Sequence, residues 1–212
     1  MLADVRMRIR QACQRAGRDP AEVTLVAVSK GHDAEEIEQV LLQHGQHILG
    51  ENRVQEWRDK AALLEPSLEW HFIGNLQSNK VKYCTGFKLI HSLNSQRLAD
   101  MMEKQGAKRE HVFRVMVEVN VAGEDSKQGA DIAEAKAVVD YAQTLPHVEV
   151  LGLMTIAPYS DNPEDARPVF QRLRALRDAW GLAELSMGMS GDFEVAIEEG
   201  ASYVRVGSAL FR

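Results

Sequence analysis

Val23-Thr24-Leu25-Val26-Ala27-Val28-Ser29 is apolar or β-branched at nearly every position, without the alternation of a half-solvated strand. A strand of this composition is covered on both faces, which is the condition of a parallel sheet clothed by helices. Seven more short runs of the same kind follow at residues 47–50, 70–73, 88–92, 112–120, 148–154, 185–187 and 203–206. Between them apolar residues fall at helical spacing, as in Ile37, Val40, Leu41 and again in Leu98, Met101, Met102. Strand and helix in strict alternation mean parallel strands with helical crossovers. The punctuation agrees: Asn94-Ser95, Asp131 and Gly191-Asp192 stand at helix starts, and Gly45, Gly106, Gly181 and Gly200 at helix ends.

Eight such units predict an α/β fold of the closed (β/α)8 TIM-barrel type. An open Rossmann sheet would carry Gly-x-Gly-x-x-Gly after its first strand, and this chain has none there. Eight strands leave only seven following helices, because the chain stops at Arg212. The amphipathic set Leu2, Val5, Met7, Ile9, Cys13 predicts an extra N-terminal helix that takes the vacant place beside strand eight. The 212 residues suit one domain, 1–212, with no second domain.

Composition narrows the function. Apolar residues make up 45% and charged residues 26%, as in an ordinary folded globular chain. The net charge of −6 speaks against a nucleic-acid surface and for a small-molecule partner. Cys13 and Cys84 form no C-x-x-C pattern, so neither a disulfide framework nor a metal site is expected. Arg6, Arg8, Arg10 and Arg15 interrupt any signal-like apolar region, and no run approaches the roughly 18 apolar residues of a membrane span. The expected location is cytoplasmic.

In these barrels the active site gathers at the C-terminal ends of the strands. Lys30 directly follows the first apolar run. It should stand partly desolvated at the mouth, where an amine can attack a carbonyl, although position alone favours reading a lone lysine in such a loop as a solvated surface residue. The far end of the chain supplies context. Met187-Gly188-Met189-Ser190-Gly191-Asp192 follows strand seven and offers a hydroxyl with free backbone N–H groups. Gly207-Ser208 follows strand eight, where the glycine permits close backbone approach and the serine adds a donor. Capping and turn roles account for each singly; together they make the phosphate site that the loops after strands seven and eight often build. A closed barrel sets that site beside strand one, and a lysine next to a phosphate cradle is the pattern of a pyridoxal 5′-phosphate site. Arg205 shares its side of strand eight with Gly207. It should point inward at the pyridine nitrogen and, as a permanent cation, keep that nitrogen unprotonated. His71 ends strand three and is expected at the same mouth, with a core position as its alternative. Lys80-Val81-Lys82, Glu35-Glu36 and Glu198-Glu199 read as solvated helix faces.

Several stretches together carry a family resemblance along essentially the whole chain. They are Leu25-Val26-Ala27-Val28-Ser29-Lys30, Gly50-Glu51-Asn52, Trp70-His71-Phe72-Ile73-Gly74 with Leu76-Gln77-Ser78-Asn79-Lys80, Val119-Asn120 with Gly123-Glu124 and Ser126-Lys127, Gly152-Leu153-Met154, Leu185-Ser186-Met187-Gly188-Met189-Ser190, and Arg205-Val206-Gly207-Ser208-Ala209-Leu210-Phe211. The sequence resembles the pyridoxal phosphate homeostasis proteins of the YggS/PROSC type, relatives of the alanine racemase N-terminal barrel (fold type III). The resemblance implies a Schiff-base lysine at Lys30, phosphate contacts from Ser190, Gly207 and Ser208, Arg205 at the ring nitrogen, and Asn52 near the ring, with Met189 in the same cofactor-binding set. Gly31-His32 and Arg53 depart from the family pattern, and the first pair bears on how the loop exposes the lysine. Relatives often continue beyond the point where this chain ends.

Two function classes follow. An enzyme would exchange an amino acid onto the cofactor and move its α-proton, as a racemase does, and needs an acid or base on each face. A carrier would bind the cofactor, shield its aldehyde and release it to apoenzymes. Arg205 weakens the electron sink, and no tyrosine stands out as a second base, so the expectation is a non-catalytic, monomeric pyridoxal phosphate carrier.

Overall fold

The computed structural model describes residues 1–123 and 129–211. Strands β1 (Thr24–Val28), β2 (Ile48–Glu51), β3 (Glu69–Phe72), β4 (Leu89–Leu93), β5 (Phe113–Glu118), β6 (Val148–Met154), β7 (Glu184–Ser186) and β8 (Tyr203–Val206) form a closed barrel in chain order. All neighbours are parallel, and β8 returns to β1 with Leu25 opposite Val204 and Ala27 opposite Val206.

Closure gives each strand an inner and an outer face. Leu25, Ala27, Trp70, Phe72, Val204 and Val206 join the apolar layer between strands and helices, whereas Leu89, Met116 and Met154 form a small separate cluster with Leu151 and Tyr203. The fully buried Phe72, Phe113, Phe170 and Phe193 anchor the outer layer, each contributing about 1.5–3 kcal/mol by leaving water.

Helices α1 (Leu2–Ala16), α2 (Ala34–Val40), α3 (Val54–Ala61), α4 (Gln96–Arg109), α5 (Ile132–Ala142), α6 (Arg167–Ala179) and α7 (Phe193–Glu198) surround the strands. The N-terminal α1 buries Leu2, Val5, Ile9, Ala12 and Cys13 and stops at Gly17, whose φ of 64° suits glycine. Arg8 and Arg15 pair with Glu194 on α7, and Arg15 also with Glu198. On the opposite side Arg6 donates to the carbonyls of His44 and Gly45. The extra helix therefore occupies the gap beside β8, as its amphipathic pattern predicts. Met7, in that pattern, is exposed.

The structure corrects several local expectations. The segment after β3 is a 3-10 helix, Ser78–Tyr83, which buries Val81 and exposes Lys80 and Lys82. Gly106 lies inside α4, where a Cβ would come 2.5 Å from that of His147, so close packing rather than helix termination asks for glycine; Glu110, at φ 53°, ends the helix. Asp192 makes no side-chain cap to α7. Glu199 is buried against Arg167, not solvated. Asp131 does cap α5, in a capping box with Glu134. Glu124, Ser126, Lys127 and Arg212 lie outside the described residues. Among the described residues no helix is long and apolar enough to cross a membrane.

Candidate functional site

A cavity of about 710 Å³ opens at the C-terminal ends of the strands. Lys30, Asn52, Met189, Ser190, Arg205, Gly207 and Ser208 all line it. His71 does not. Its neighbours Trp70 and Phe72 face outward, and the ring sits inside the barrel, 1% exposed, between His91 and Glu69. The residue of that strand's continuation that reaches the mouth is Ile73, two positions on, as strand periodicity requires.

The Lys30 side is built on a buried ionic cluster. Lys60, from α3, sends Nζ to the Ser29 carbonyl at 2.7 Å, to Glu51 Oε1 at 2.6 Å and to Glu56 Oε1 at 2.7 Å. Ser29 Oγ donates to Glu51 Oε1 at 2.7 Å, and the Gly31 N–H donates to Glu56 Oε1 at 2.6 Å. Both residues flanking Lys30 are thereby pinned, while Lys30 itself is exposed rather than partly desolvated. Burial pushes the Glu51 carboxyl up against the opposing pull of Lys60 and Ser29. The departures from the family pattern find places here. Gly31 adopts φ 80°, which favours glycine. His32 stacks on Phe211 with ring centroids 3.6 Å apart. Arg53 is an exposed residue at the start of α3.

The opposite wall is made of backbone. Ser190 Oγ accepts from the N–H groups of Gly207 at 3.2 Å and Ala209 at 3.4 Å. A hydroxyl and two amides thus converge on one spot, an arrangement able to grip an anion. Gly207 lies close against β1: a Cβ there would meet Val28 Cβ at 3.2 Å. Asp192 Oδ1 accepts from the Met189 N–H at 2.6 Å, which ties the turn.

Arg205 supplies the floor. It is 4% exposed and points inward, with Nη1 donating to Ser186 Oγ and Nη2 to the Thr155 carbonyl at 3.0 Å. Desolvation lowers its pKa to about 10 against the pull of Glu118 and Asp192, so it remains a cation at neutral pH.

Chemically, the cavity presents a free amine on one wall, anion-binding donors on the other and a fixed cation below. The residues that sequence reading misses are Ser29, Glu51, Glu56, Lys60, Thr155 and Ser186. Only the Glu56/Lys60 pair carried a local signal, its i,i+4 spacing.

The model of the alanine racemase N-terminal domain matches residues 1–212. A pyridoxal phosphate homeostasis protein of Aquifex aeolicus is 50% identical over 218 residues, spanning 99% of this chain and 95% of that one. PipY of Synechococcus elongatus PCC7942, solved without PLP, superimposes with a TM-score of 0.85 at 35% identity and covers 97% of this chain and 99% of its own. The same protein with PLP bound gives a TM-score of 0.84 at 33% identity, covering 97% and 100%. The chain belongs to the alanine racemase N-terminal domain family and, within it, to the pyridoxal phosphate homeostasis proteins.

Proposed function

We propose that this chain binds pyridoxal 5′-phosphate in the mouth cavity and serves to carry or buffer it inside the cell. The donor set fits the group: an amine at Lys30 for the aldehyde, the Ser190 hydroxyl with the Gly207 and Ala209 amides and Ser208 for the phosphate, and Arg205 for the pyridine nitrogen. Asn52 and Met189 line the same cavity and would stand near the ring. When bound, the cofactor supplies an electrophilic aldehyde and a ring that can withdraw electrons. Lys30 anchors it as a Schiff base, and its exposed position leaves the linkage open to exchange.

The protein's own groups suit holding better than turnover. A permanent cation at the ring nitrogen disfavours its protonation and so weakens the ring as an electron sink. Beyond Lys30 and Arg205, the titratable groups among the described lining residues are Asp192, engaged by the Met189 amide, and Tyr159, 92% exposed and bonded to Asp161. Neither is held against Lys30 as a second base. Release to apoenzymes, a cytoplasmic location and a monomeric state complete the reading. The location is supported by two free, buried cysteines.

The observation that carries the reading is that Lys30 and the Ser190–Gly207 donors wall one cavity. Adding the cofactor should produce a visible absorption band that Lys30→Ala abolishes; an unchanged band in that variant refutes the anchor. Incubation with L-alanine in deuterium oxide should leave the α-hydrogen in place, and rapid exchange would make the protein an enzyme.

A further inference from the structure

A hydrogen-bonded chain crosses the barrel interior from the cofactor mouth toward the opposite end. Arg205 Nη1 donates to Ser186 Oγ on β7. Ser186 Oγ lies 2.7 Å from His91 Nδ1 on β4. His91 Nε2 is 2.9 Å from His71 Nδ1 on β3, and His71 Nε2 is 3.0 Å from Glu69 Oε1. Ser186, His91 and His71 are at most 1% exposed. Glu69, by contrast, lines a second cavity at the N-terminal end of the strands, together with Lys88, Arg114 and Glu149.

With one proton on each imidazole, the Glu69 end sets the direction of the chain. Arginine can only donate and a carboxylate can only accept. Ser186 accepts from Arg205 and gives its own proton to His91 Nδ1. His91 then carries its proton on Nε2 and donates to His71 Nδ1, and His71 carries its proton on Nε2, facing Glu69. Every link is satisfied with both rings neutral. Burial drives the His91 pKa well down, with the Arg205 charge acting in the same direction, in keeping with a neutral ring. Other groups face the chain as well. Tyr203 packs against both imidazoles. Lys88 and Arg114 act on Glu69. Glu118 and Asp192 act on Arg205.

We propose that Glu69, His71, His91 and Ser186 are positioning residues for Arg205: a one-directional donor chain that aims the guanidinium into the pocket and couples the pocket to the charge at the far face of the barrel. This rests on the reading of Arg205 as the pocket cation. Glu69→Gln is the informative change, because the amide keeps the size but can also donate. His71 is then free to carry its proton on Nδ1, His91 follows, and Ser186 loses the acceptor for its hydroxyl.

Nitrogen NMR of histidine-labelled, cofactor-free protein tests the chain directly. His71 and His91 should both be protonated on Nε2 in the parent protein, and Nδ1-protonated forms should appear in Glu69→Gln. A parent His91 protonated on Nδ1 overturns the proposal. Pyridoxal phosphate titration then reads the coupling: Glu69→Gln should weaken binding by roughly two- to thirtyfold and move the pH profile of the visible band. Glu149→Gln, at the same face but outside the chain, should do neither. Unchanged affinity and pH profile in Glu69→Gln overturn the coupling, whereas a parent protein that takes up no cofactor refutes the functional reading and leaves the NMR result to decide the chain.

Discussion

The two walls of the mouth are held by opposite means. Around Lys30, side chains do the holding: Lys60, Glu51 and Glu56 fix Ser29 and Gly31 while the amine between them stays exposed. Around Ser190 the backbone does it, with Gly188 at φ 93° and Gly207 set against Val28. The contrast follows from what each wall presents. On the proposed function the amine has to remain free to meet and release a carbonyl, which agrees with the pinning of its flanks alone. A phosphate is met best by amide dipoles that are already in place and lose little entropy on binding.

The ionic wall should be the more fragile to one substitution. Lys60→Met leaves Glu51 and Glu56 without their shared cation, and breaking a buried pair in this way costs about 3–5 kcal/mol, measurable by denaturant unfolding. Adding Glu51→Gln to that variant should recover part of the loss. A full additive penalty would show that the cluster is not one unit.

The two walls are compared by one glycine from each, Gly188 on the backbone wall and Gly31 on the ionic one, with similar φ angles. At Gly188 a Cβ would come 2.5 Å from Ala196 Cβ and 2.9 Å from Phe193 Cα. Alanine there should cost about 3 kcal/mol from the left-handed conformation and overpacking combined. At Gly31, with φ 80° and nothing within 4 Å of the added Cβ, alanine should cost only about 1 kcal/mol. Equal losses in thermal or denaturant unfolding would remove the distinction.

Between these effects lies a pH dependence. Burial pushes the Glu118 carboxyl from 4.5 up to about 6, with Arg205 pulling the other way. The folded protein therefore keeps this proton longer than the unfolded chain does. Below 4.5 the group costs nothing, and above about 6 the penalty is complete. Its contribution to stability should fall by on the order of 2 kcal/mol as pH rises across that window. Glu118→Gln should flatten that slope in unfolding curves taken at several pH values; an unchanged slope would contradict it.

Much of the architecture was legible because it rests on local patterns. Burial on both faces of residues 24–28 signals a parallel barrel, and the stripe from Leu2 to Cys13 signals the helix that completes the ring. That Ser190, Gly207 and Ser208 share one wall of the mouth was legible too, since they sit in short loops whose chemistry is written in consecutive residues. His71 was misplaced because it faces inward but lies two residues too deep, and on the same side of the strand it is Ile73 that reaches the mouth. Gly106 was misread as a helix end because nothing local announces the approach of His147. As a cluster the group behind Lys30 escaped, apart from the i,i+4 spacing of Glu56 and Lys60: positions 29, 51, 56 and 60 meet only after β1, β2 and α3 pack together.

The central claim is that Lys30 and the Ser190 wall grip one small molecule at the same time. Borohydride trapping at Lys30, run in parallel with pyridoxal phosphate and with pyridoxal, tests this most directly. The phosphorylated aldehyde should label Lys30 at far lower concentration than pyridoxal does, and Ser190→Ala, which removes the hydroxyl on which the Gly207 and Ala209 amides converge, should narrow that gap. Equal labelling by the two aldehydes in the parent protein would mean that the second wall plays no part in binding.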